Sequence, residues 1–373
     1  MREFIGCDAH KEYSVFVRVN EAGQCSPGVR VGHQLEAYRR FLGSLPEGSE
    51  IGLETTANWY WMVQEIEGAG HRPRLGDAAT AKARMGHRGK GDTLDGRGLG
   101  QLLRMGTFPD VWIPSAELRD QRELIRLRLW LVRQRTRLKN RIQAILCNYG
   151  LMVQGVSDVF GAQGREAIQE GRLQLPANTR QSVEQQLELL DTLKAHIQAV
   201  EQCLAALLEE TPAMKLLQTA PGIGKILAPA ILLHTGAVDR FPTARHYSSY
   251  AGLVRRVESS GGQSWPGPKR RDANHYLKWA FTEAANSVVL QQKRLAGFQV
   301  IELYQRVYRK TGYYGKAVTA VARHLAEAVW HMLKEGEPYR DPKARAVPST
   351  PRGARTDAQK DQVDSVISPP GAE

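Results

Sequence analysis

The first 110 residues alternate short strand-like runs with one strong helix-like run. Four runs are rich in β-branched, aromatic or aliphatic residues and are bounded by turn-compatible residues: Phe4–Asp8, Tyr13–Val19, Glu50–Glu54 and Arg72–Leu75. The segment from Asn58 to about Glu67 predicts a helix, since Gly68 and Gly70 close it. This alternation restricts the fold to a layered α/β domain, which we place at residues 1–112.

Residues 113–210 predict two long helices that form a coiled-coil linker. From Glu117 to Arg141 there are nine Arg or Lys and three acids, with leucines and isoleucines on one stripe. The second helix, from Thr179 to Glu210, is acidic and has apolar residues near heptad spacing. Five cations of the basic helix are candidates for contact with nucleic-acid phosphates: Arg126, Arg133, Arg137, Lys139 and Arg141. A solvated charged face is the alternative.

The chain is strongly basic, with 51 Lys plus Arg against 39 Asp plus Glu and a formal charge of +12. This balance favours a polyanionic partner, and a merely basic protein, such as a ribosome-associated one, is the alternative. The four cysteines form no C-x-x-C pair, which indicates a reducing compartment. The N-terminus resembles a strand more than a signal peptide, and the longest apolar segments, such as Ile226–Leu233, are too short to span a bilayer. We therefore expect a cytoplasmic protein without a membrane partner.

Four carboxylates are the main candidates for chemistry: Asp8, Glu54, Asp92 and Asp95. Asp8 and Glu54 each end an apolar run, and Asp92 and Asp95 share one face if their segment is helical. Phosphoryl transfer with two metal ions needs several oxygen ligands, and Mg²⁺ favours carboxylates plus water. Convergence of the four would therefore make a magnesium site. Taken singly, each acid could instead be a turn former or a helix cap.

The residues on either side of Asp92 and Asp95 bear on whether these acids form part of a metal site. Lys90 precedes the paired acids and is a candidate phosphate contact. Gly96, Gly98 and Gly100 follow them, and each disfavours a helix by roughly 1 kcal/mol. We expect this helix either to be held by packing of its leucines, namely Leu99, Leu102 and Leu103, or to start late.

Residues 211–335 form a third, mostly helical unit with two glycine-containing motifs. The first is Thr219-Ala220-Pro221-Gly222-Ile223-Gly224-Lys225, which resembles a helix-hairpin-helix module whose backbone N–H groups, at Gly222 and Gly224, together with Lys225, bind phosphate. An ordinary interhelical turn is the alternative. The second is a polar loop, Glu258-Ser259-Ser260-Gly261-Gly262, which could be simple turn chemistry or could expose a nucleophilic hydroxyl.

A basic cluster follows this serine loop and could stabilise a pentacovalent phosphate: Lys269, Arg270 and Arg271. The tail, residues 336–373, is rich in proline and has no apolar periodicity, which predicts disorder.

Together these motifs resemble the DEDD-type transposases of insertion sequences, a family of bridge-RNA-guided serine recombinases related to Piv-type DNA invertases. The resemblance runs from about residue 3 to residue 335. It depends on five motifs in a fixed order: Gly6-Cys7-Asp8-Ala9-His10-Lys11, Leu53-Glu54-Thr55-Thr56, the Lys-x-Asp-x-x-Asp of residues 90–95, Leu217 to Gly224, and Ala251-Gly252-Leu253 leading to Ser260-Gly261.

The resemblance implies a RuvC-like, ribonuclease-H-like N-terminal domain, a coiled-coil linker and a mainly α C-terminal transposase domain. Asp8, Glu54, Asp92 and Asp95 would then be the metal-binding tetrad and Ser260 the nucleophile of a covalent phosphoserine intermediate. The implied partners are donor and target DNA, a non-coding bridge RNA, and further copies of the chain in a dimer or tetramer that combines carboxylates and serine from different protomers.

Two departures from the family pattern concern these assignments. The Gly-Arg-Gly-Leu-Gly run after Asp95 replaces an Ala-rich helical run, and it bears on how Asp95 is positioned. Ser259 adjoins Ser260, and adjacency to Gly261 favours Ser260 as the nucleophile.

Three functions remain open. A recombinase would need both the carboxylates and Ser260, and it could transpose an element or invert a segment as a Piv-like invertase does. A RuvC-like structure-specific nuclease that uses water would need the carboxylates alone. An architectural DNA-binding protein would need neither and would bind through its basic helix and the Pro-Gly-Ile-Gly hairpin.

Overall fold

The computed structural model describes residues 3–55, 58–86, 91–208, 211–255, 257–267 and 273–341. The chain divides into two compact units, Met1–Arg119 and Asp120–Glu373. The α/β character predicted for the N-terminal region is confirmed, and so is the mostly helical character of the C-terminal region.

A six-stranded sheet forms the centre of the first unit. Its strands are β1 (Glu3–Ala9), β2 (Tyr13–Asn20), β3 (Val29–Gly32), β4 (Glu50–Glu54), β5 (Arg72–Gly76) and β6 (Asp110–Val111). Their order across the sheet is β3-β2-β1-β4-β5-β6. β1, β4 and β5 are parallel neighbours, while β2, β3 and β6 pair antiparallel. The four predicted strands are present. β3 has no continuous apolar run, because it is a short edge strand with two exposed residues.

Four helices cover the sheet: α1 (Leu35–Gly43), α2 (Trp59–Gly68), α3 (Ala78–Met85) and α4 (Asp92–Arg104). α1 and α2 pack on Ile5 and Cys7 of β1 and their neighbours, whereas α4 packs with Phe4 on the other face. Because side chains alternate along a strand, Gly6 and Asp8 share the α4 face with Phe4.

The register of the parallel strands brings two of the candidate carboxylates together. Cys7 of β1 pairs with Leu53 of β4, so Asp8 and Glu54 occupy the next position on adjacent strands. The carboxyl ends of parallel strands lie at one edge of the sheet, and alternation places both side chains on the α4 face. The two strand ends predicted from the sequence therefore lie side by side at one edge of the sheet.

Glycines allow α4 to lie very close to β1. A Cβ atom built on Gly6 would lie 1.8 Å from the carbonyl oxygen of Gly96 and 2.6 Å from the backbone nitrogen of Gly100. α4 begins at Asp92, and Leu99, Leu102 and Leu103 are buried, so it is held by packing and does not start late. The glycines that disfavour an isolated helix are here the surface through which the helix contacts the sheet.

The second unit contains nine described α-helices. They are α5 (Ala116–Asn148), which begins just before it, α6 (Ala162–Gly171), α7 (Ala177–Leu208), α8 (Pro212–Leu217), α9 (Leu227–Thr235), α10 (Ala244–Tyr250), α11 (His275–Leu290), α12 (Gln299–Thr311) and α13 (Tyr314–Glu335). A two-stranded hairpin, β7 (Val257–Ser260) and β8 (Gln263–Pro266), lies between α10 and α11.

The two long helices predicted for residues 113–210 are α5 and α7. They run antiparallel, because Ile142 of α5 shares a core with Val183 of α7, while Arg128 pairs with Glu201 at 2.6 Å. α6 contributes Ile168 to the same core. The acidic α7 thus neutralises part of the positive charge of α5.

Gly222 has a structural role in the Pro-Gly-Ile-Gly segment between α8 and α9. Its φ is +79°, and a Cβ there would lie 2.2 Å from the carbonyl oxygen of Ala284 in α11. Ala220 and Ile223 are buried, whereas Lys225 is exposed. The turn is therefore packed against the bundle through its glycine, and phosphate binding by Gly222, Gly224 and Lys225 stays a prediction.

The first residues of the predicted disordered tail make specific contacts. The backbone N–H of Gln299 donates to both carboxylate oxygens of Asp341, at 3.0 and 2.9 Å, and the N–H of Tyr339 donates to Thr219 Oγ1. These contacts belong to residues 337–341, residues 342–373 lie outside the described part of the chain, and the disorder of the tail stays a prediction. Among the described residues, no helix has both the length and the apolar composition needed to cross a bilayer.

Candidate metal centre

Three side chains converge at the carboxyl end of β1. The Nε2 atom of His10 lies 3.1 Å from Asp8 Oδ2 and 3.2 Å from Asp92 Oδ2. One ligand atom from each of the three residues falls within 4.8 Å of the other two. Asp8 lies in β1, Asp92 lies in the first turn of α4, and His10 lies in the turn between β1 and β2.

Glu54 and Asp95 belong to the same electrostatic environment. Burial raises the pKa of Asp8, and the nearby Asp95 and Asp92 raise it further while His10 opposes them. Burial likewise raises the pKa of Glu54, with Asp8 and Asp95 adding to the shift and Lys82 opposing it. Carboxylates shift one another in this way only when they lie close together. Asp8 therefore interacts electrostatically with Glu54, Asp92 and Asp95. The N-terminus of α4, where Asp92 and Asp95 lie, adds the positive end of the helix dipole to this region.

Tyr13 positions two members of the cluster. Its ring lies 4.6 Å from the His10 ring, and its hydroxyl donates to Asp92 Oδ2 at 2.9 Å. This hydrogen bond lowers the pKa of Asp92, and His10 and Arg30 lower it further. The guanidinium of Arg30 lies 3.6 Å from the centre of the Tyr13 ring. Asn58 Nδ2 donates to the His10 carbonyl at 2.8 Å, which holds the backbone of the turn.

A divalent cation fits this donor set. His10 Nε2 lies between two carboxylate oxygens, so a cation bound there would have three ligand atoms from the chain within reach. Two carboxylates suit Mg²⁺ and Mn²⁺, and a neutral imidazole nitrogen is a common ligand of transition metals. Asp8, Asp92 and His10 would hold the ion, and the charges of Glu54 and Asp95 act on the same site.

Comparisons with known proteins match both units. Residues 5–150 match the DEDD transposase profile of IS110 elements, and residues 214–299 match the transposase IS116/IS110/IS902 family. The chain belongs to the IS110 family of transposases. The first match contains Asp8, Glu54, Asp92 and Asp95, and the second contains Ser260.

Similar proteins occur in several bacteria. A Pseudomonas aeruginosa protein named "Probable family 20 transposase" is 27% identical over 67% of this chain and 74% of its own length. The Coxiella burnetii transposase for insertion sequence element IS1111A is 25% identical over 67% of this chain and 68% of its own. The Yersinia enterocolitica transposase for IS1328 is 24% identical over 80% of this chain and 87% of its own.

Ser260 of this IS110-family chain is the last residue of β7, at an exposed hairpin tip. The loop predicted here from polar composition is a two-residue turn made by Gly261 and Gly262, whose φ angles are +57° and +78°. Such a turn favours glycine at both positions. Ser259 and Ser260 are both exposed and, because strand side chains alternate, point to opposite faces of the hairpin.

The cations predicted to contact nucleic acid in this transposase fall into two groups. Arg133, Arg137 and Arg141 are exposed and recur every four residues along one face of α5. Arg126 instead pairs with Glu123 and lies over the Tyr276 ring at 5.6 Å, while Lys139 Nζ lies 5.2 Å from the Phe160 ring. Lys90, Lys269, Arg270 and Arg271 lie outside the described residues.

The sequence analysis did not assign His10, Tyr13 or Lys82 to the site of this transposase. His10 is two residues after Asp8, where a strand that ended later would place it on the same face, so its spacing was the available signal. Nothing in the local pattern around Tyr13 predicted its contact with Asp92, which is 79 residues away. Asp77 directly follows the third parallel strand, but its carboxylate accepts a hydrogen bond from the Thr80 N–H at 2.8 Å and caps α3.

The raised carboxyl pKa values of this transposase predict a pH-dependent stability in EDTA. Asp8 and Glu54 bind a proton more tightly in the folded chain, so their contribution is most favourable below the unfolded value of about 4 and falls as pH rises through the raised folded values. We expect Glu54→Gln to melt at a higher temperature than the wild type at about pH 7, and the difference to vanish near pH 4.

Differential scanning fluorimetry in EDTA across this range measures the effect. Glu36→Gln, which changes an exposed carboxylate in the first turn of α1, is the matched control. A lower melting temperature of Glu54→Gln at every pH would show that the Glu54 carboxylate stabilises the fold, against this expectation.

Proposed function

We propose that this IS110-family protein is a transposase that cuts and rejoins DNA strands, with divalent metal held by the Asp8–His10–Asp92 cluster and supported by Glu54 and Asp95. The observation that carries the proposal is the convergence of these groups at one edge of the sheet, in a chain with a net charge of +12. The transposase names of its relatives add support.

The cluster has three functions in this proposal. The carboxylates of Asp8 and Asp92, with the imidazole of His10, bind the cation, which supplies Lewis acidity at the scissile phosphate. Tyr13 keeps His10 and Asp92 in place through its ring contact and its hydrogen bond. Burial raises the pKa of Asp8 and Glu54, and a bound cation would offset the desolvation of their carboxylates.

Ser260 is the proposed nucleophile. Its Oγ would form a bond to phosphorus while the bond from phosphorus to a sugar oxygen breaks. The serine hydroxyl loses its proton and the departing sugar oxygen gains one, so the cut strand ends in a free hydroxyl. Attack by a hydroxyl of another strand would reverse the step, so the energy of the phosphodiester is kept for rejoining. The exposed hairpin tip and the backbone of Gly261 and Gly262 support this role, since they leave the hydroxyl accessible. The carboxylates and Ser260 could come from different protomers of a dimer or tetramer.

Further parts of the proposal concern partners. The exposed stripe of Arg133, Arg137 and Arg141 would contact nucleic-acid phosphates, with Lys225 and the basic cluster after the hairpin as additional contacts. The resemblance to bridge-RNA-guided recombinases supports a non-coding RNA that pairs with donor and target DNA. Mg²⁺ is the proposed ion, and Mn²⁺ is the probe suited to a site that includes an imidazole.

A denaturing gel of a labelled DNA substrate tests the serine step. With the wild type and Mg²⁺ we expect a protein–DNA adduct that is absent in EDTA. Ser260→Ala should lose the adduct and retain DNA binding, whereas Ser259→Ala, the neighbouring exposed serine, should keep it. An adduct of normal yield with Ser260→Ala would remove the nucleophile assignment. Cleaved DNA without any adduct in the wild type would indicate hydrolysis by water, as in a RuvC-like nuclease.

A further inference from the structure

The turn between β1 and β2, which carries His10, is held through the carbonyl groups of its three residues. Asn58 Nδ2 donates to the His10 carbonyl at 2.8 Å. The backbone N–H of His33 donates to the Glu12 carbonyl at 2.9 Å, and Nδ1 of the same residue lies 3.2 Å from the Lys11 carbonyl oxygen. His33, which directly follows β3, thus supplies two of the three contacts.

The surroundings of the His33 ring decide which of its nitrogens carries the proton. A carbonyl oxygen can only accept, so Nδ1 donates to Lys11. Burial lowers the pKa of His33 and outweighs the hydrogen bond to Lys11, which raises it, so the ring is neutral near pH 7. Nε2 is then the acceptor for the hydroxyl of Ser14, at 2.9 Å. The ring therefore joins the turn to a fully buried residue of β2.

Aromatic packing holds the His33 ring in this orientation. The Trp61 ring lies 5.0 Å from it at an interplanar angle of 74°, and the Tyr38 ring lies 6.1 Å from it at 76°. A side chain that is packed edge to face against two rings and bonded through both nitrogens has little freedom to turn. Such a residue can fix the position of the group that it contacts.

His33 reaches the turn from the side of the sheet opposite the metal cluster. Side chains alternate along β2, so Ser14 and its neighbour Tyr13, which donates to Asp92, emerge on opposite faces. Within the described part of the chain, no hydrogen bond or ring contact joins His33 to Asp8, His10 or Asp92. Its effect on His10 therefore passes through the backbone of the turn.

Stability of the β1–β2 hairpin does not require these contacts. Seven residue pairs join the two strands, and the His10 N–H donates to the Tyr13 carbonyl at 2.9 Å, which closes the turn locally. The side chains of Lys11 and Glu12 are exposed, and water can satisfy the carbonyls of an exposed turn. What the contacts of His33 add is a fixed course of the backbone that carries the His10 ring.

That course matters because His10 Nε2 lies between Asp8 Oδ2 and Asp92 Oδ2, at 3.1 and 3.2 Å. Residues that orient a metal ligand contribute to metal affinity although they do not touch the ion. We propose that His33 is a positioning residue of the metal cluster, which fixes the turn so that His10 Nε2 faces the two carboxylates. This inference rests on the metal site of the proposed function.

Mn²⁺ binding to the full-length protein tests this role without DNA. Calorimetry gives the affinity, and electron spin echo envelope modulation detects the nitrogen of an imidazole bound to Mn²⁺. We expect a nitrogen signal in the wild type and none in His10→Gln. His33→Ala should lose most of the signal and bind Mn²⁺ about tenfold more weakly, as expected when a residue that orients a metal ligand is removed.

Two conservative variants separate the contacts of the ring. His33→Asn keeps an N–H donor at the position of Nδ1, so it should recover most of the affinity and of the nitrogen signal. The amide of His33→Gln extends to the position of Nε2 and cannot serve Lys11 in the same way, so this variant should behave as His33→Ala does.

His71→Ala is the matched control, because it separates positioning from stability. His71 belongs to the same unit, is 6% exposed, and its Nε2 lies 2.9 Å from the Leu42 carbonyl oxygen. Its loss should lower the melting temperature at least as much as the loss of His33 does. The nitrogen signal and the Mn²⁺ affinity of this variant should remain those of the wild type.

Three outcomes would overturn the inference. A full nitrogen signal with unchanged affinity in His33→Ala would show that His10 needs no support from His33. Equal losses in His71→Ala would assign the effect to general destabilisation of the unit. No recovery in His33→Asn would exclude the contact with Lys11 as the cause. Failure of the proposed function gives a different result, since a wild type that binds Mn²⁺ without any nitrogen signal would reject His10 as a ligand and the inference with it.

Discussion

Asp8→Asn is expected to reduce strand cleavage and rejoining by at least about a thousandfold, since metal stabilisation of transition-state charge supplies several kcal/mol. The substitution keeps the size of the side chain but removes the charge that joins β1 to the rest of the cluster. Asp8 is central to that cluster, because His10 contacts it at 3.1 Å and its charge raises the pKa of Glu54.

Metal affinity gives a second readout that does not require activity. Mn²⁺ binding, measured by calorimetry or electron paramagnetic resonance, should weaken at least tenfold in Asp8→Asn. In EDTA the variant should melt no lower than the wild type, because the half-buried carboxylate that it removes is penalised by desolvation.

Asp110→Asn is the matched control for Asp8→Asn. Asp110 lies in β6 of the same sheet, is exposed, and pairs with Arg74 at 2.5 Å. A surface pair of this kind contributes about 0–1 kcal/mol, so activity and metal affinity should be close to those of the wild type. Activity of Asp8→Asn within tenfold of the wild type would contradict the metal assignment.

Gly6→Ala is expected to destabilise the first unit by about 3 kcal/mol or more, because the new Cβ meets backbone and cannot be accommodated by a side-chain rotation. The nearest atoms are the Gly96 carbonyl oxygen at 1.8 Å and the Gly100 nitrogen at 2.6 Å. Relief requires α4 to move away from β1, which also moves Asp92 and Asp95 away from Asp8. Melting temperature should fall by roughly 10 °C, and Mn²⁺ affinity should fall with it.

Two further substitutions make this prediction specific. Gly68→Ala, at the end of α2, meets no atom within 4 Å and should be neutral or stabilising by up to about 1 kcal/mol. Gly100→Ala meets a side chain, Val19 Cγ2 at 2.6 Å, so Val19→Ala in the same protein should recover part of its lost stability. A Gly6→Ala protein as stable as Gly68→Ala would show that close contact between α4 and β1 is not required.

The main departure from sequence-based expectation concerns α4. Gly96, Gly98 and Gly100 lower intrinsic helix propensity, and the sequence alone cannot show that Gly6 lies opposite two of them. The helix forms because its backbone packs against Gly6 of β1, 90 residues before Gly96, and not because of intrinsic helix propensity. Leu99, Leu102 and Leu103 bury its apolar side. Tertiary packing routinely overrides local preference in this way.

The serine hairpin shows the same limitation on a smaller scale. Gly261 and Gly262 predict a turn, but the flanking residues are polar and exposed and have no apolar alternation that would predict strands. Pairing of Ser259 with Ser264 and of Ser260 with Gln263 creates the strands. Such pairing depends on partners that local composition does not reveal.

The sequence by itself determined three features: the two strands that carry Asp8 and Glu54 near their ends, the two long helices, and the excess of basic residues. Apolar periodicity and charge are local properties of the chain, so they can be read without the tertiary structure. The tertiary structure alone decided that Asp8 and Glu54 share one face, that His10 lies between Asp8 and Asp92, and that α4 touches β1 through glycine. Strand register, the face on which a side chain emerges and the approach of two backbones all depend on residues distant in the chain, so no local pattern contains them.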